Sequence, residues 1–147
     1  MLKYFFVILF PFASYGATLS PFSTDECTYF PEGTQSSPKI WAHCCVEHDL
    51  KYWIGGTKAE QVTSDLKLKE CVTKSSSEFY GELMYRGVII GHLSPIKSPT
   101  RWSWGFGKPY REFKALSKDD KKLAKELIDM ADIDSDMRDR FIEEHLN

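Results

Sequence analysis

The 147-residue chain lacks a convincing series of alternating apolar and polar residues, an internal repeat and a low-complexity tract. The first absence argues against a sheet and leaves an all-α or nearly all-α fold. An excess of basic residues is missing too. With 19 Lys and Arg against 21 Asp and Glu, the chain carries no electrostatic footprint for nucleic acid or for strong attraction to an anionic membrane. Its most apolar run, Tyr4 to Phe12, falls well short of the roughly 20 residues needed to cross a bilayer. With Lys3 before it and Ser14-Tyr15-Gly16 after it, this run reads as a signal peptide over residues 1–16, cleaved before Ala17. No cysteine near that point is placed to carry a lipid. The expectation is an exported protein, extracellular or periplasmic, with one domain over residues 17–147.

Cysteine is scarce but even in number. Cys27, Cys44, Cys45 and Cys71 all lie beyond the signal, and an even count in an exported chain favours disulfides. A zinc site from Cys44, Cys45 and His48 fits less well, because structural zinc ligands usually have CxxC-type spacing. Adjacent cysteines on a helix cannot sensibly pair with each other, so each should reach a different segment.

The pass along the chain predicts loop from Thr18 to about Ser37, where Pro21, Pro31 and Gly33 break any period. A first helix is expected from Pro38, capped by Ser37, to about Trp53, with Trp41, Cys45, His48 and Tyr52 on one face. Gly55-Gly56 should end it, and Thr57 should cap a second, antiparallel helix from Lys58. The stripe expected on that helix is Ala59, Val62, Leu66, Lys69 and Val72 or Thr73. A third helical run, Glu78 to Ile90, is interrupted in sequence by Gly81 and Gly87. The aromatic, Gly- and Pro-rich segment from Gly91 to Tyr110 has no assignable period. Ser117 with Asp120 resembles a capping pair for a helix carrying Leu123, Leu127 and Ile128, and a last helix starts near Asp134 or Ser135.

Chemistry concentrates in His43-Cys44-Cys45-Val46-Glu47-His48-Asp49-Leu50-Lys51-Tyr52-Trp53. A histidine on a helix held rigid by neighbouring cysteines suits general base catalysis, where fixed geometry comes before pKa. Asp49 points about 100° around the helix from His48 and is available to bind a cation. If the first two helices are antiparallel, Asp65 lies opposite His48 and can accept its ring N–H, with Tyr52 donating to the same carboxylate.

The pattern Cys44-Cys45-x-x-His48-Asp49-x-x-Tyr52, followed by Asp65 six residues before Cys71, resembles the active helices of secreted phospholipase A2. The likeness spans roughly residues 26–72. It implies a disulfide-linked antiparallel helix pair with additional C-terminal helices, acting as a monomer on phospholipid at a membrane or micelle surface. It implies that His48 activates water, Asp65 orients His48 and Tyr52 supports both. Ca2+ would be held by an accessible Asp49 and by backbone carbonyls, with Thr28, Phe30 and Glu32 as the expected donors. The implied disulfides are Cys27–Cys45 and Cys44–Cys71. The chain departs from the familiar pattern in having one glycine, Gly33, between Cys27 and Thr34, and in leaving no room for a β-wing between the helices. A short, bacterial-like variant is the closest description, and a catalytically silent member that binds a membrane or a protein is the rival.

Three other features carry plainer readings. His43, about 140° from His48, is expected to face loop or solvent. Arg101 to Lys108 suits either an interfacial patch or, preferably, an aromatic cover for the core. Asp132, Asp134, Asp136 and Glu143 have EF-hand spacing, but Met137 stands where the loop needs glycine, so helix capping explains them better.

Overall fold

The computed structural model describes residues 18–93, 104–105, 107–108 and 113–147. The expected signal peptide, residues 1–16, lies outside them, as does most of the aromatic segment. Five helices make up the described architecture: α1 (Ala42–Ile54), α2 (Lys58–Ser75), α3 (Glu78–Leu93), α4 (Lys118–Ile128) and α5 (Ser135–His145). The extended structure is a two-residue antiparallel pair, β1 (Thr18–Leu19) with β2 (Gly107–Lys108). The chain is all-α with two disulfides. None of the described helices is long and apolar enough to cross a membrane.

Helix α1 is wedged between two apolar clusters. Leu50, Trp53 and Ile54 pack with Leu19, Ala124, Ile128, Met137, Phe141 and Leu146, which joins α1 to α4 and α5. On the other side Trp41, Cys44 and Cys45 pack with Cys27, Leu68, Val72 and Met84, which joins it to α2 and α3. Three buried tryptophans each direct the indole N–H to a carbonyl: Trp41 to Pro31 at 2.7 Å, Trp53 to Ser20 at 2.6 Å and Trp104 to Gly56 at 2.7 Å. Burial of so large a ring is favourable only when its polar edge is satisfied. Trp104 is thus core, as preferred for that segment, and the other tryptophan there, Trp102, lies outside the described residues.

The α1–α2 pair is antiparallel, as three links show by running in opposite senses along the two helices. Cys44 meets Cys71, His48 meets Asp65 and Lys51 meets Glu60. The turn between them works as its residues suggest. Gly55 and Gly56 take φ of 74° and 140°, and Thr57 with Glu60 forms a reciprocal capping box at the start of α2. Glu60 is also the ion partner of buried Lys51 at 2.9 Å. Burial opposes ionisation of Glu60, but bonds from the Thr57 backbone, Lys51 and the Thr57 hydroxyl outweigh it and hold the carboxyl at about 2.

Three expectations about these helices are corrected. α1 starts at Ala42, four residues after Pro38, because Ser37 is committed elsewhere: it pairs with Thr34 in both directions, at 3.0 and 3.1 Å. The buried face of α2 is Gln61, Ser64, Asp65, Leu68 and Val72, while Val62 and Leu66 are exposed. A face chosen by hydrophobicity alone was misplaced because the real one carries three polar residues, turned inward by Asp65–His48 and Cys71–Cys44. α3 is continuous through both glycines. Gly81 permits close packing, since a Cβ there would sit 2.1 Å from Thr73 Oγ1 and 2.7 Å from the Lys69 carbonyl. The C-terminal helices follow their caps: Ser117 and Asp120 form the box of α4, and Asp134 accepts from Met137 N–H at the start of α5.

Candidate active site

His48 stands on the face of α1 that looks at α2. Its Nε2 lies 2.9 Å from Asp65 Oδ1, with 10 % and 1 % of the two side chains exposed. Tyr52, one turn along, donates its hydroxyl to the same oxygen at 2.8 Å, and the two rings lie 4.3 Å apart. A carboxylate oxygen only accepts, so Nε2 carries the proton and Nδ1 is the basic nitrogen. Trp104 closes the far side of Tyr52 edge-on at 5.2 Å. The three residues expected to cooperate on a proton are therefore together, on two helices crosslinked one turn before His48.

The disulfides are Cys27–Cys45 and Cys44–Cys71. They leave α1 from adjacent residues toward different segments, the first to the preceding loop and the second to α2. His43 is exposed, with Nε2 at 3.4 Å from Cys44 Sγ and 3.6 Å from Cys71 Sγ. These three residues have metal-ligand proximity, but both sulfurs are bonded to each other and offer no thiolate.

Asp49 faces the loop. It is buried rather than accessible, only 8 % exposed, and accepts a bond from the Thr24 hydroxyl at 2.7 Å. Burial pushes its carboxyl up to about 7; the Thr24 hydrogen bond opposes the shift and the charge of Asp25 adds to it. Thr24 was missed in the sequence because no spacing rule ties a hydroxyl 25 residues away to Asp49. The expected carbonyl donors lie along the same loop. Thr28 bonds Asp25 through its hydroxyl at 2.6 Å, Phe30 packs on Trp41, and the Glu32 carbonyl accepts from Trp41 N–H at 3.0 Å. Among the described residues, none of the hydrogen bonds links Thr28, Phe30 or Glu32 to Asp49. Glu26 and Tyr29 take φ of 62° and 59°, so two non-glycine residues adopt the left-handed conformation that the glycine-poor loop would otherwise assign to glycine.

A cavity of about 240 Å³ opens beside His48 between α1, α2 and α5. Leu68, Met137 and Phe141 give it apolar walls, and Lys51, Lys67, Arg140, Glu47, Glu60 and Glu144 interleave charges around them. Two ion pairs cross toward α5, Arg140–Glu47 at 3.0 Å and Lys67–Glu144 at 3.2 Å. His145, in the same wall, is pushed down to about 4 by burial first and then by Lys51 and Lys67, so it is neutral at neutral pH. Asp132, Asp136 and Glu143 take no part in this site.

Compared with known proteins, the chain matches no family model, no curated protein and no solved structure.

Proposed function

We propose that this protein is an exported, calcium-dependent hydrolase of phospholipase A2 type that frees a fatty acid from phospholipid. The observation that carries the reading is the buried Asp65 carboxylate, which takes both His48 Nε2–H and the Tyr52 hydroxyl on one oxygen. That arrangement fixes the tautomer and orientation of His48, turns Nδ1 into a base and offsets the positive charge that the ring acquires. Nδ1 takes a proton from water as the water oxygen bonds to the ester carbonyl carbon. When the tetrahedral adduct collapses, the same nitrogen returns the proton to the departing alkoxide, leaving a lysophospholipid and a fatty acid. The sn-2 position is the one that the resemblance implies.

The chemistry around Asp49 fits Ca2+. A buried carboxylate held at about 7, with a second carboxylate near enough to raise it further, is stabilised by a cation, and the Thr24 hydroxyl beside it is an oxygen donor of the kind calcium takes. Asp49 would hold the ion together with backbone oxygens of Thr28, Phe30 and Glu32; the Glu32 carbonyl already serves Trp41 but has a second lone pair. Bound there, calcium would polarise the ester carbonyl and offset the developing oxyanion charge.

The cavity beside His48 is smaller than the roughly 300–1,000 Å³ of an enclosed ligand site. In this reading it would receive only the ester region of a lipid whose acyl chains stay in a membrane or micelle. The test is acyl release from mixed phospholipid vesicles, with calcium and with a chelator. Calcium-dependent release of fatty acid supports the reading. Calcium binding without any release would favour the silent member that only binds a membrane or a protein.

A further inference from the structure

Asp65 has a second histidine. Its Oδ1 accepts from His48 and Tyr52, while Oδ2 is buried without a hydrogen bond. His92, near the end of α3, brings Nε2 to 3.7 Å from Oδ2, and the same nitrogen is in hydrogen-bond contact with the Tyr52 hydroxyl. The His92 and Tyr52 rings stack at 5.9 Å. Proton inventory then decides the direction of the bonds. A tyrosine has one hydroxyl hydrogen, and Asp65 Oδ1 can only accept it at 2.8 Å. Toward His92 the tyrosine oxygen must therefore be the acceptor, which places a hydrogen on His92 Nε2. The opposite direction would strip a bond from an almost fully buried carboxylate, a far costlier arrangement.

We propose that His92 is a positioning residue. It donates Nε2–H to the Tyr52 oxygen, Tyr52 donates to Asp65 Oδ1, and Asp65 holds His48, so that α3 reaches the base through a three-bond chain. Donation to the hydroxyl oxygen makes that hydroxyl a better donor in turn. The hydrogen bonding itself stands on geometry alone; its catalytic consequence rests on the hydrolase reading above.

The experiment compares His92→Phe, which keeps a ring over Tyr52 but has no N–H, with His92→Gln, which keeps a donor. Two readouts are followed: steady-state hydrolysis of phospholipid vesicles, and the imidazole N–H resonance of His48 in the calcium-loaded protein. His92→Phe is expected to shift and broaden that resonance and to lower kcat about three- to tenfold, the value of one hydrogen bond, at unchanged KM. His92→Gln should return both toward wild type. If a phenyl ring is not accommodated, His92→Leu reads the same loss. A wild-type resonance and kcat in the donor-free variant, or failure of Gln to restore either, would overturn the proposal. If wild type itself hydrolyses no phospholipid, the hydrolase reading falls, while the His48 resonance still decides the role of His92.

Discussion

Adjacent residues of α1 look into two regions that treat a buried carboxylate differently. On the α2 side, Asp65 receives hydrogen bonds from His48 and Tyr52, with His92 close to its other oxygen. On the loop side, Asp49 receives one bond, from Thr24, and burial with Asp25 nearby raises it to about 7. The first region bonds one carboxylate oxygen twice and leaves the other, Oδ2, buried without a hydrogen bond. The second holds a negative charge at a cost that a proton or a cation removes. One helix thus carries a hydrogen-bonded histidine on one side and, on the other, a carboxylate that a further charge would complete.

The largest effect expected from breaking this contrast is at the base. His48→Gln keeps a polar side chain of similar size on a helix fixed by two disulfides, so its melting temperature should stay near wild type. Loss of a positioned base should lower acyl release by about 10²–10⁴-fold. Wild-type hydrolysis by the purified variant would remove His48 from the mechanism.

Asp49 should make stability fall as pH rises, against an opposite trend from half-buried His145. Its carboxyl binds a proton more tightly in the fold, at about 7, than an ordinary exposed aspartate does. Below about pH 4 both states are protonated and no penalty exists; it grows as pH rises and is complete above about pH 7. Above that pH the penalty amounts to roughly 4 kcal/mol. The calcium-free protein should therefore be more stable near pH 5 than near pH 8 as far as this group decides, and calcium should raise the melting temperature most at the higher pH. Asp49→Asn should remove both effects and stabilise the calcium-free protein at pH 8. An unchanged calcium response in this variant, followed by calorimetry, would place the ion away from Asp49.

How much of the two regions could be read in advance follows from the range of the interactions. Thr57 as a helix cap and Ser117 with Asp120 as a capping pair were legible because a cap is closed within four residues. His48, Asp65 and Tyr52 were legible because an antiparallel pair with a short turn converts sequence spacing into facing positions. The start of α1 was not, since Ser37 is taken by a bridge to Thr34 that no helix signal announces. The buried face of α2 was hidden by its polar composition, and exposed Val62 and Leu66 supplied a false stripe. Thr24 and His92 were missed for one reason: each reaches the site from a separate segment, 25 and 40 residues from its partner on α1. The helix read in the sequence ended at Ile90, two residues short of His92, whereas α3 runs to Leu93.

The disulfides sharpen the comparison at intermediate magnitude. They close segments of 18 and 27 residues, so their loop entropies differ by only about 0.4 kcal/mol, and losing either should cost about 3–4 kcal/mol. Stability will not tell them apart, but function should. Replacing Cys44 and Cys71 by serine loosens the reach from Asp65 to His48 and should lower kcat at saturating calcium. Replacing Cys27 and Cys45 frees the loop and should weaken calcium affinity more than kcat. Equal effects on both parameters in the two variants would mean that α1 transmits strain freely between the regions.

The smallest expected effect isolates the loop side from everything else. Thr24→Val keeps the shape of the side chain and removes the hydroxyl that donates to Asp49 at 2.7 Å. The lost bond leaves the buried carboxylate with less to oppose its desolvation, so the Asp49 carboxyl should move further above about 7. Thr24 Oγ1 also accepts from Glu26 N–H at 2.9 Å, a bond lost at every pH. Above that constant part, the cost without calcium should be larger by about 1 kcal/mol at pH 8 than near pH 5, where the carboxyl is largely protonated. Calcium should recover most of that extra cost, because the ion replaces the hydroxyl as the group that stabilises the charge. The His48 side should not respond, since Thr24 touches neither Asp65 nor Tyr52 among the described hydrogen bonds, and kcat at saturating calcium should stay at the wild-type value. Thermal melts at the two pH values, with and without calcium, provide the four numbers required. A loss that is the same in all four conditions would reduce Thr24 to its bond with Glu26 N–H and would sever the loop from the charge on Asp49.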